Sequence, residues 1–221
     1  MEIDVPTSLG PGRLTVAASP DPRAVLWLGH GAGGGIDAVD LTALAAELPG
    51  RGITVVRYEQ PWRVAGRKVA PRPAVLDVGW LDAAPHVAQV AAGVPVVVGG
   101  RSAGARVACR TADAVGAVGV VCLAFPLHPP GKPEKSRIAE LLAPTVPVLV
   151  LQGDRDTFGT ADDVTAAISG APAGPGVHPV HVTAAPGADH SMKVLRSAPV
   201  DAAGIAQIVV EQVHGFVSPL V

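Results

Sequence analysis

The sequence is poor in cysteine and in charge, and each shortage excludes a class of protein. Two cysteines among 221 residues are too few for the disulfide framework of a small secreted domain. We therefore expect Cys109 and Cys122 to be reduced, buried thiols. Charged residues make up 16% of the chain and the net charge is −2, so no general electrostatic attraction to nucleic acid or to an anionic membrane is expected.

Long apolar segments are also missing. The longest apolar run, residues 115–125, is interrupted by glycines and is too short to span a bilayer. The first four residues, Met-Glu-Ile-Asp, contain neither the basic nor the apolar region of a secretory signal. These absences predict a cytoplasmic protein that does not bind a membrane.

Apolar residues, in contrast, make up 48% of the chain. A chain of 221 residues predicts a single domain over residues 1–221 that buries about 70% of its unfolded surface. Strand-like and helix-like segments alternate, which predicts an α/β fold with a doubly wound, mostly parallel sheet and helices on both faces. The predicted strands cover residues 13–17, 24–28, 53–58, 94–98, 118–124, 146–151 and 177–183. The predicted helices cover 41–48, 74–92, 103–112, 136–142, 161–168 and 201–217, and loops are expected over 60–73 and 170–176.

Two finer expectations concern helix boundaries. Asp40 directly precedes the predicted helix 41–48 and is of the residue type that caps a helix N-terminus. Pro85 lies inside the predicted helix 74–92 and is expected to break it, because proline removes a hydrogen bond and clashes with the preceding turn.

The segment around residue 102 carries the strongest functional signal. Residues 94–98 are an apolar, β-branched run, and Gly100-Arg101-Ser102-Ala103-Gly104 follows them directly before a helical stretch. This is the G-x-S-x-G pattern at a strand-to-helix turn, in which the serine hydroxyl is exposed at the apex. Amides at the helix N-terminus lie beside that hydroxyl and can stabilise developing negative charge. The pattern predicts Ser102 as a nucleophile.

Further polar residues follow other predicted strands. A serine hydroxyl is a poor nucleophile until a base takes its proton, and a neutral imidazole suits that role. His190 lies in a loop after the last predicted strand, and Asp154 and Asp156 follow the strand 146–151. In a doubly wound sheet, ligands bind outside the carboxyl ends of the strands. The chain order serine, acid, histidine is the order found in α/β-hydrolases.

Three of these segments resemble the α/β-hydrolase superfamily. Gly-Arg-Ser-Ala-Gly-Ala-Arg, Gln-Gly-Asp-Arg-Asp-Thr-Phe-Gly and Asp-His-Ser-Met-Lys are similar to the dienelactone-hydrolase-like group, in particular to the small subgroup that includes testis-expressed protein 30. The resemblance implies a fold without a large lid domain and a serine hydrolase that needs no metal or cofactor. Its expected substrate is a small ester, thioester or related acyl compound, cleaved through an acyl-enzyme. Dienelactone hydrolases proper carry cysteine at the position of Ser102, so their specific activity is not implied.

The resemblance also assigns roles to the acid and the base. In the superfamily the acid lies three residues after the glycine that ends the strand, which matches Asp156 rather than Asp154 in this sequence. His190 is then the general base, and the acid holds its ring in the required tautomer. Asp189 is expected to be structural, because neighbouring side chains seldom point together.

The oxyanion site requires backbone amides. One is expected from Ala103, the residue after the nucleophile, and a second from the glycine-rich loop after the strand 24–28. Ala32 is the first choice in that loop, with Gly31 and Gly33 as alternatives. The resemblance places His30 beside this loop, where it orients the backbone.

Two other functions remain open from the sequence. The run Gly29-x-Gly31-x-x-Gly34 also fits a dinucleotide-binding fingerprint, with Glu59 as the ribose acid. That interpretation leaves Ser102, Asp156 and His190 unexplained. A hydrolase fold can also serve as a non-catalytic interaction module, because a fold does not by itself determine a function.

The positions of several basic residues also stay open. Arg101 is expected either near the entrance of the site or in a surface ion pair. The segment from residue 63 to residue 72 is either a solvated loop or a surface that attracts an acidic substrate or partner; its basic residues are Arg63, Arg67, Lys68 and Arg72.

Overall fold

The computed structural model describes residues 1–172 and 178–221. Within them, the strands are β1 (Glu2–Thr7), β2 (Gly10–Ala17), β3 (Ala24–Gly29), β4 (Ile53–Glu59), β5 (Val96–Arg101), β6 (Gly119–Leu123), β7 (Val148–Gly153) and β8 (Val180–Ala185). The helices are α1 (Val39–Glu47), α2 (Pro61–Val64), α3 (Pro73–Ala91), α4 (Ala103–Thr111), α5 (Ile138–Leu141), α6 (Ala161–Ser169) and α7 (Ala202–Val217). Short 3-10 helices cover Pro49–Arg51, Asp113–Val115, Pro133–Lys135 and Ser218–Leu220.

The eight strands form one sheet in the order β1-β2-β4-β3-β5-β6-β7-β8. The pairs from β4 through β8 are parallel, whereas β1 with β2 and β2 with β4 are antiparallel. From β3 the chain first adds β4 on one side of that strand, and it later returns to add β5 on the other side. This confirms the predicted doubly wound, mostly parallel sheet.

Alternate residues along each central strand enter two separate cores on the two faces of the sheet. On β3, Val25 and Trp27 pack on one face, where α3 and α4 cover the sheet, and Leu26 and Leu28 pack on the other, where α1 and α7 cover it. This burial on both faces explains why the central strands are almost continuously apolar. Trp80 of α3 stacks on Trp27 with ring centroids 3.7 Å apart.

The sequence did not reveal the first strand or the short helix α2. Strand β1 presents mostly exposed side chains, and Val5 is its buried residue. It is a strand because it pairs with β2 along its whole length, and pairing of this kind leaves little trace in local composition. Helix α2 lies within the stretch that was predicted to be a loop.

Helix α3 runs through Pro85 without a break, so that prediction was wrong. Proline provides no N–H for the carbonyl of Leu81, one turn earlier. Both residues lie on the exposed side of the helix, where water can hydrogen-bond the freed carbonyl. The helix therefore loses one bond without leaving a buried group unsatisfied.

Asp40 does not cap α1, so that expectation was also wrong. The helix begins at Val39 and its N-cap residue is Ala38, which makes no side-chain capping bond. Asp40 therefore lies within the first turn, and its carboxylate points inward to Arg101. The remaining predicted helices recur within two residues, and Asp201 caps α7 through the N–H of Gly204.

The structure also tests the expectations for the cysteines and for membrane-spanning segments. Cys109 and Cys122 are free, buried thiols, and burial raises the pKa of the Cys122 thiol. No helix in the described ranges has both the length and the apolar character needed to cross a membrane. The predicted loop 170–176 and the start of the predicted strand 177–183 fall largely on residues 173–177, outside the described residues.

The stacked Trp80 should be a main source of stability. Truncation in Trp80→Ala removes a fully buried indole and should lower the free energy of unfolding by about 3–5 kcal/mol. The control is Val78→Ala on the same helix, where the side chain is 41% exposed and the change should stay within about 0.5 kcal/mol. Urea denaturation of both variants measures this, and equal effects would contradict the assigned core.

Candidate active site

The turn between β5 and α4 occurs at Ser102. The residue has φ 52° and ψ −109°, a conformation that side-chain-bearing residues rarely adopt. Such strain costs on the order of 1–3 kcal/mol and persists only where the surrounding structure fixes it. Here the N–H of Ser102 donates to the carbonyl of Leu123 over 2.9 Å. The strained turn presents the Ser102 hydroxyl at the carboxyl end of the sheet, as the G-x-S-x-G pattern predicts.

Close backbone packing explains why glycine stands on both sides of Ser102. A Cβ atom on Gly100 would lie 2.5 Å from the carbonyl oxygen of Gly29, and one on Gly104 would collide with the same oxygen. The first turn of α4 therefore rests directly on the end of β3. Any larger residue at either position would push the helix away from the sheet.

His190 lies between Ser102 and an aspartate. Its Nε2 atom is 2.9 Å from the Ser102 Oγ atom, and its Nδ1 atom is 2.8 Å from the Oδ2 atom of Asp156. An ionised carboxylate only accepts, so the Nδ1–H group donates to Asp156 and Nε2 is free to accept from the serine hydroxyl. The arrangement selects the ring tautomer that a general base for Ser102 requires.

Asp156, and not Asp154, contacts His190. The Asp156 side chain is buried and also accepts from the N–H of Phe158 and from the amide of Gln152. Asp154 instead accepts from the N–H of Gly187 over 2.8 Å, which holds the loop after β8. The structure thus separates the two carboxylates, between which the local sequence alone could not decide.

Two residues that support the His190–Asp156 pair were not predicted. Gln152 is fully buried at the end of β7 and donates to the Oδ2 atom of Asp156 over 3.0 Å. The ring of Phe158 stacks on the imidazole of His190, with centroids 4.1 Å apart. The one signal in the sequence was that both residues lie within four positions of Asp156, so they belong to the same segment.

The residues expected to form the oxyanion site, including the alternatives Gly31 and Gly33, line the same cleft as Ser102. Ala32 and Ala103 both line the cleft that contains Ser102 and His190. Ala103 is the first residue of α4, so its N–H is among the helix-terminal amides that have no intrahelical acceptor. Positive partial charge at this helix end favours an anion next to Ser102.

His30 braces the glycine-rich loop. Its Nε2 atom accepts from the N–H of Gln60 over 3.2 Å, so the Nδ1–H group donates to the Gly31 carbonyl over 2.8 Å. Burial lowers the pKa of His30 below the ordinary histidine value, which keeps the ring neutral in this role. Its contact with the loop backbone matches the role that the family resemblance implied.

The cleft above Ser102 is open and carries several cations. Its volume is about 640 Å³, and Arg106, Arg137 and Lys193 contribute to its wall. Arg106 makes two hydrogen bonds to Glu140, whereas burial and the nearby Arg106 lower the pKa of Arg137. In the described part of the chain, the segment between β6 and β7 holds one short α-helix and one 3-10 turn rather than a lid domain.

Arg101 lines the inner wall of the cleft and does not form a surface ion pair. It is 8% exposed, and its guanidinium contacts the buried carboxylate of Asp40 and the backbone carbonyl of His190. The sequence offered no signal for this pairing, because Asp40 and Arg101 are 61 positions apart.

Solved structures share this fold. One is the lidless serine hydrolase XC6422 of Xanthomonas campestris, with a TM-score of 0.75, 19% identity and coverage of 98% of this chain and 94% of that chain. Another is Est1E of Butyrivibrio proteoclasticus, with a TM-score of 0.76, 13% identity and coverage of 99% and 98%. A third is a serine hydrolase homologue of Coxiella burnetii, with a TM-score of 0.74, 16% identity and coverage of 96% of each chain.

The amino-acid sequence was also compared with curated proteins and with family models. No curated protein has significant sequence similarity to the chain. Residues 22–218, in contrast, match the family described as alpha/beta hydrolase domain. The match does not extend to the dienelactone-hydrolase-like subgroup, which stays a prediction. The chain belongs to the alpha/beta hydrolase family.

Proposed function

We propose that this protein is a serine hydrolase that cleaves a small ester, thioester or related acyl substrate through an acyl-enzyme. One observation carries the proposal: an unbroken set of contacts from Asp156 through His190 to Ser102, at a strained turn that opens into a cleft. A serine on a strand-to-helix turn, in contact with a histidine that also contacts an aspartate, is typical of serine hydrolases with this kind of sheet. The open cleft supports a substrate that is small or readily accessible.

In the first half of the reaction, Ser102 becomes acylated. The Oγ atom attacks the acyl carbon while the Nε2 atom of His190 takes the hydroxyl proton. The oxyanion of the tetrahedral intermediate accepts hydrogen bonds from the amides of Ala103 and Ala32. The intermediate then collapses, the bond to the leaving group breaks, and the imidazolium returns its proton to that group.

In the second half, water takes the place of the leaving group. His190 removes a proton from water, the resulting hydroxide attacks the acyl carbon, and the Ser102 oxygen leaves with a proton from the imidazolium. The carboxylate of Asp156 stabilises the charged ring in both halves and keeps its tautomer fixed. Because Asp156 is almost completely buried, water screens this interaction only weakly.

A non-catalytic interaction module is the alternative function. The contacts of Ser102, His190 and Asp156 favour catalysis, because a pure binding surface has no need of a strained serine. Dinucleotide binding is less well supported. A fingerprint of that kind needs a helix that begins on the glycine-rich loop, whereas α1 begins at Val39, after Gly35.

Loss of the nucleophile should abolish turnover. We expect Ser102→Ala to reduce the hydrolysis of a p-nitrophenyl ester to the uncatalysed level, while Ser197→Ala, at an exposed position outside the cleft, keeps wild-type kcat. Both proteins should show the wild-type circular dichroism spectrum. Retention of full esterase activity in folded Ser102→Ala would contradict the proposed mechanism.

The two aspartates provide a matched test of the acid. Asp156→Asn keeps the shape of the side chain but favours the wrong tautomer of His190, so kcat should fall by about 10⁴. Asp154→Asn retains an oxygen acceptor for the N–H of Gly187 and should leave kcat near the wild-type value. Steady-state kinetics of both variants decide the matter, and the reverse ranking would transfer the role to Asp154.

Activity should fall in acid. A protonated His190 cannot accept the Ser102 proton, so kcat/KM for a neutral ester should be lower in acid than at neutral pH. Protonation of His30 contributes less to this decline, because burial lowers the pKa of that ring below the ordinary histidine value. A rate that is constant from about pH 8 to about pH 5 would contradict a histidine base.

A further inference from the structure

A largely buried ion pair lies at the inner wall of the active-site cleft, which Arg101 lines. Arg101 is the last residue of β5 and precedes Ser102 in the chain. Its Nη1 atom is 2.5 Å from the Oδ2 atom of Asp40, whose side chain is completely buried. The other carboxylate oxygen, Oδ1, accepts from the N–H of Leu41 over 3.0 Å.

The same guanidinium also contacts the backbone of the proposed base. The Nη2 atom of Arg101 donates to the carbonyl oxygen of His190. Arg101 therefore connects the nucleophile turn, through its own backbone, with the base loop, through that carbonyl. Through its bond to Asp40, Arg101 is also connected to α1, which follows the glycine-rich loop that contains Ala32. One side chain thus links three segments that contribute to the site.

His190 lies at the tip of a tight turn whose own shape is fixed locally. The turn is closed by a bridge between Ala188 and Val194, and the carboxylate of Asp189 accepts from the N–H groups of Ser191 and Lys193. This confirms the structural role expected for Asp189. These bonds determine the conformation of the turn but not its distance from β5.

The buried side chain of Met192 packs this turn into an apolar core. Two hydrogen bonds to its backbone also join it to neighbouring segments. On one side, the N–H of Arg155 donates to the carbonyl of Ala188 over 3.1 Å, which docks the turn on the loop that carries Asp156. On the other side, the bond from Arg101 docks it on the strand that carries Ser102. The backbone contact on the side of the acid and the backbone contact on the side of the nucleophile are therefore made by different residues.

We infer that Arg101 and Asp40 are positioning residues of the proposed reaction, which together hold the His190 turn at hydrogen-bond distance from Ser102. Asp40 acts through Arg101, because its carboxylate fixes the guanidinium that binds the His190 carbonyl. The inference rests on the proposed function, since it concerns the geometry of the same nucleophile and base.

Energetics support this role over a purely stabilising one. Burial of a guanidinium and a carboxylate removes both from water, so a buried ion pair contributes little net stability compared with apolar residues of similar volume. The planar guanidinium can bind two acceptors at once from fixed directions. A lysine at position 101 would have a single ammonium group for Asp40 and the His190 carbonyl.

The test compares ester hydrolysis by the wild type, Arg101→Met, Arg101→Lys and the double variant Asp40→Asn/Arg101→Met. The double variant removes both charges, so no unpaired ion stays buried and folding is preserved. We expect kcat to fall about a hundredfold in Arg101→Met and in the double variant, because a displacement of the base by about 1 Å has a cost of that order. KM should stay within about twofold, and Arg101→Lys should have an intermediate kcat.

A remote ion pair serves as the matched control. Asp77 binds Arg110 through two hydrogen bonds between α3 and α4, and neither residue lines the cleft. Asp77→Asn should lower the melting temperature while kcat per folded molecule stays at the wild-type value. For Arg101→Met, the loss of kcat should persist well below the melting temperature.

The outcomes separate this inference from the function on which it rests. If the wild type hydrolyses the ester and Ser102→Ala does not, the proposed function stands. Wild-type kcat in the folded double variant, or a loss confined to KM, then overturns the positioning role alone. A wild type without activity overturns both.

Discussion

Between β5 and α4 the chain reverses at one residue, Ser102, and the carbonyl of Gly29 lies against the inside of that turn. This contact is possible only because Gly100 and Gly104 lack side chains. It fixes the position of α4 against β3 and so directs both the serine hydroxyl and the N-terminal amides of the helix toward one point. The strained backbone at Ser102 is maintained by the parallel sheet on both sides, where two apolar cores hold β3 and β5 in register. The scaffold thus supplies the rigidity that a preorganised site requires.

Around this turn the polar residues form two groups with different tasks. Gln152, Phe158 and Asp156 lie on the β7 side and fix the tautomer and the plane of the His190 ring. Arg101 and Asp40 lie on the opposite side and contact the backbone of the same residue. Burial of a charged group is costly unless it is hydrogen-bonded, and Asp156, Asp40 and Arg101 find their hydrogen-bond partners at the carboxyl edge of the sheet. The apolar interior provides stability, and the paired polar groups at its edge provide geometry.

The sequence predicted those parts of the structure that depend on local pattern. The apolar runs located the parallel strands, and G-x-S-x-G located Ser102 because the motif itself encodes a close backbone approach. The local sequence could not predict β1, which is a strand because its backbone pairs with β2. It also could not predict that α3 continues through Pro85, because this depends on the exposure of Pro85 to solvent. Arg101 and Asp40 illustrate the limit most clearly. Their charges are 61 positions apart, and only the folded sheet brings α1, β5 and the turn of His190 together.

Catalysis at this site requires that His190 activate Ser102. The most direct measurement is the intact mass of the protein after incubation with a fluorophosphonate, followed by peptide mapping. We expect one adduct per chain, located on Ser102, with labelling much slower in His190→Gln. An unmodified protein that is fully folded, or an adduct on another residue, would contradict it.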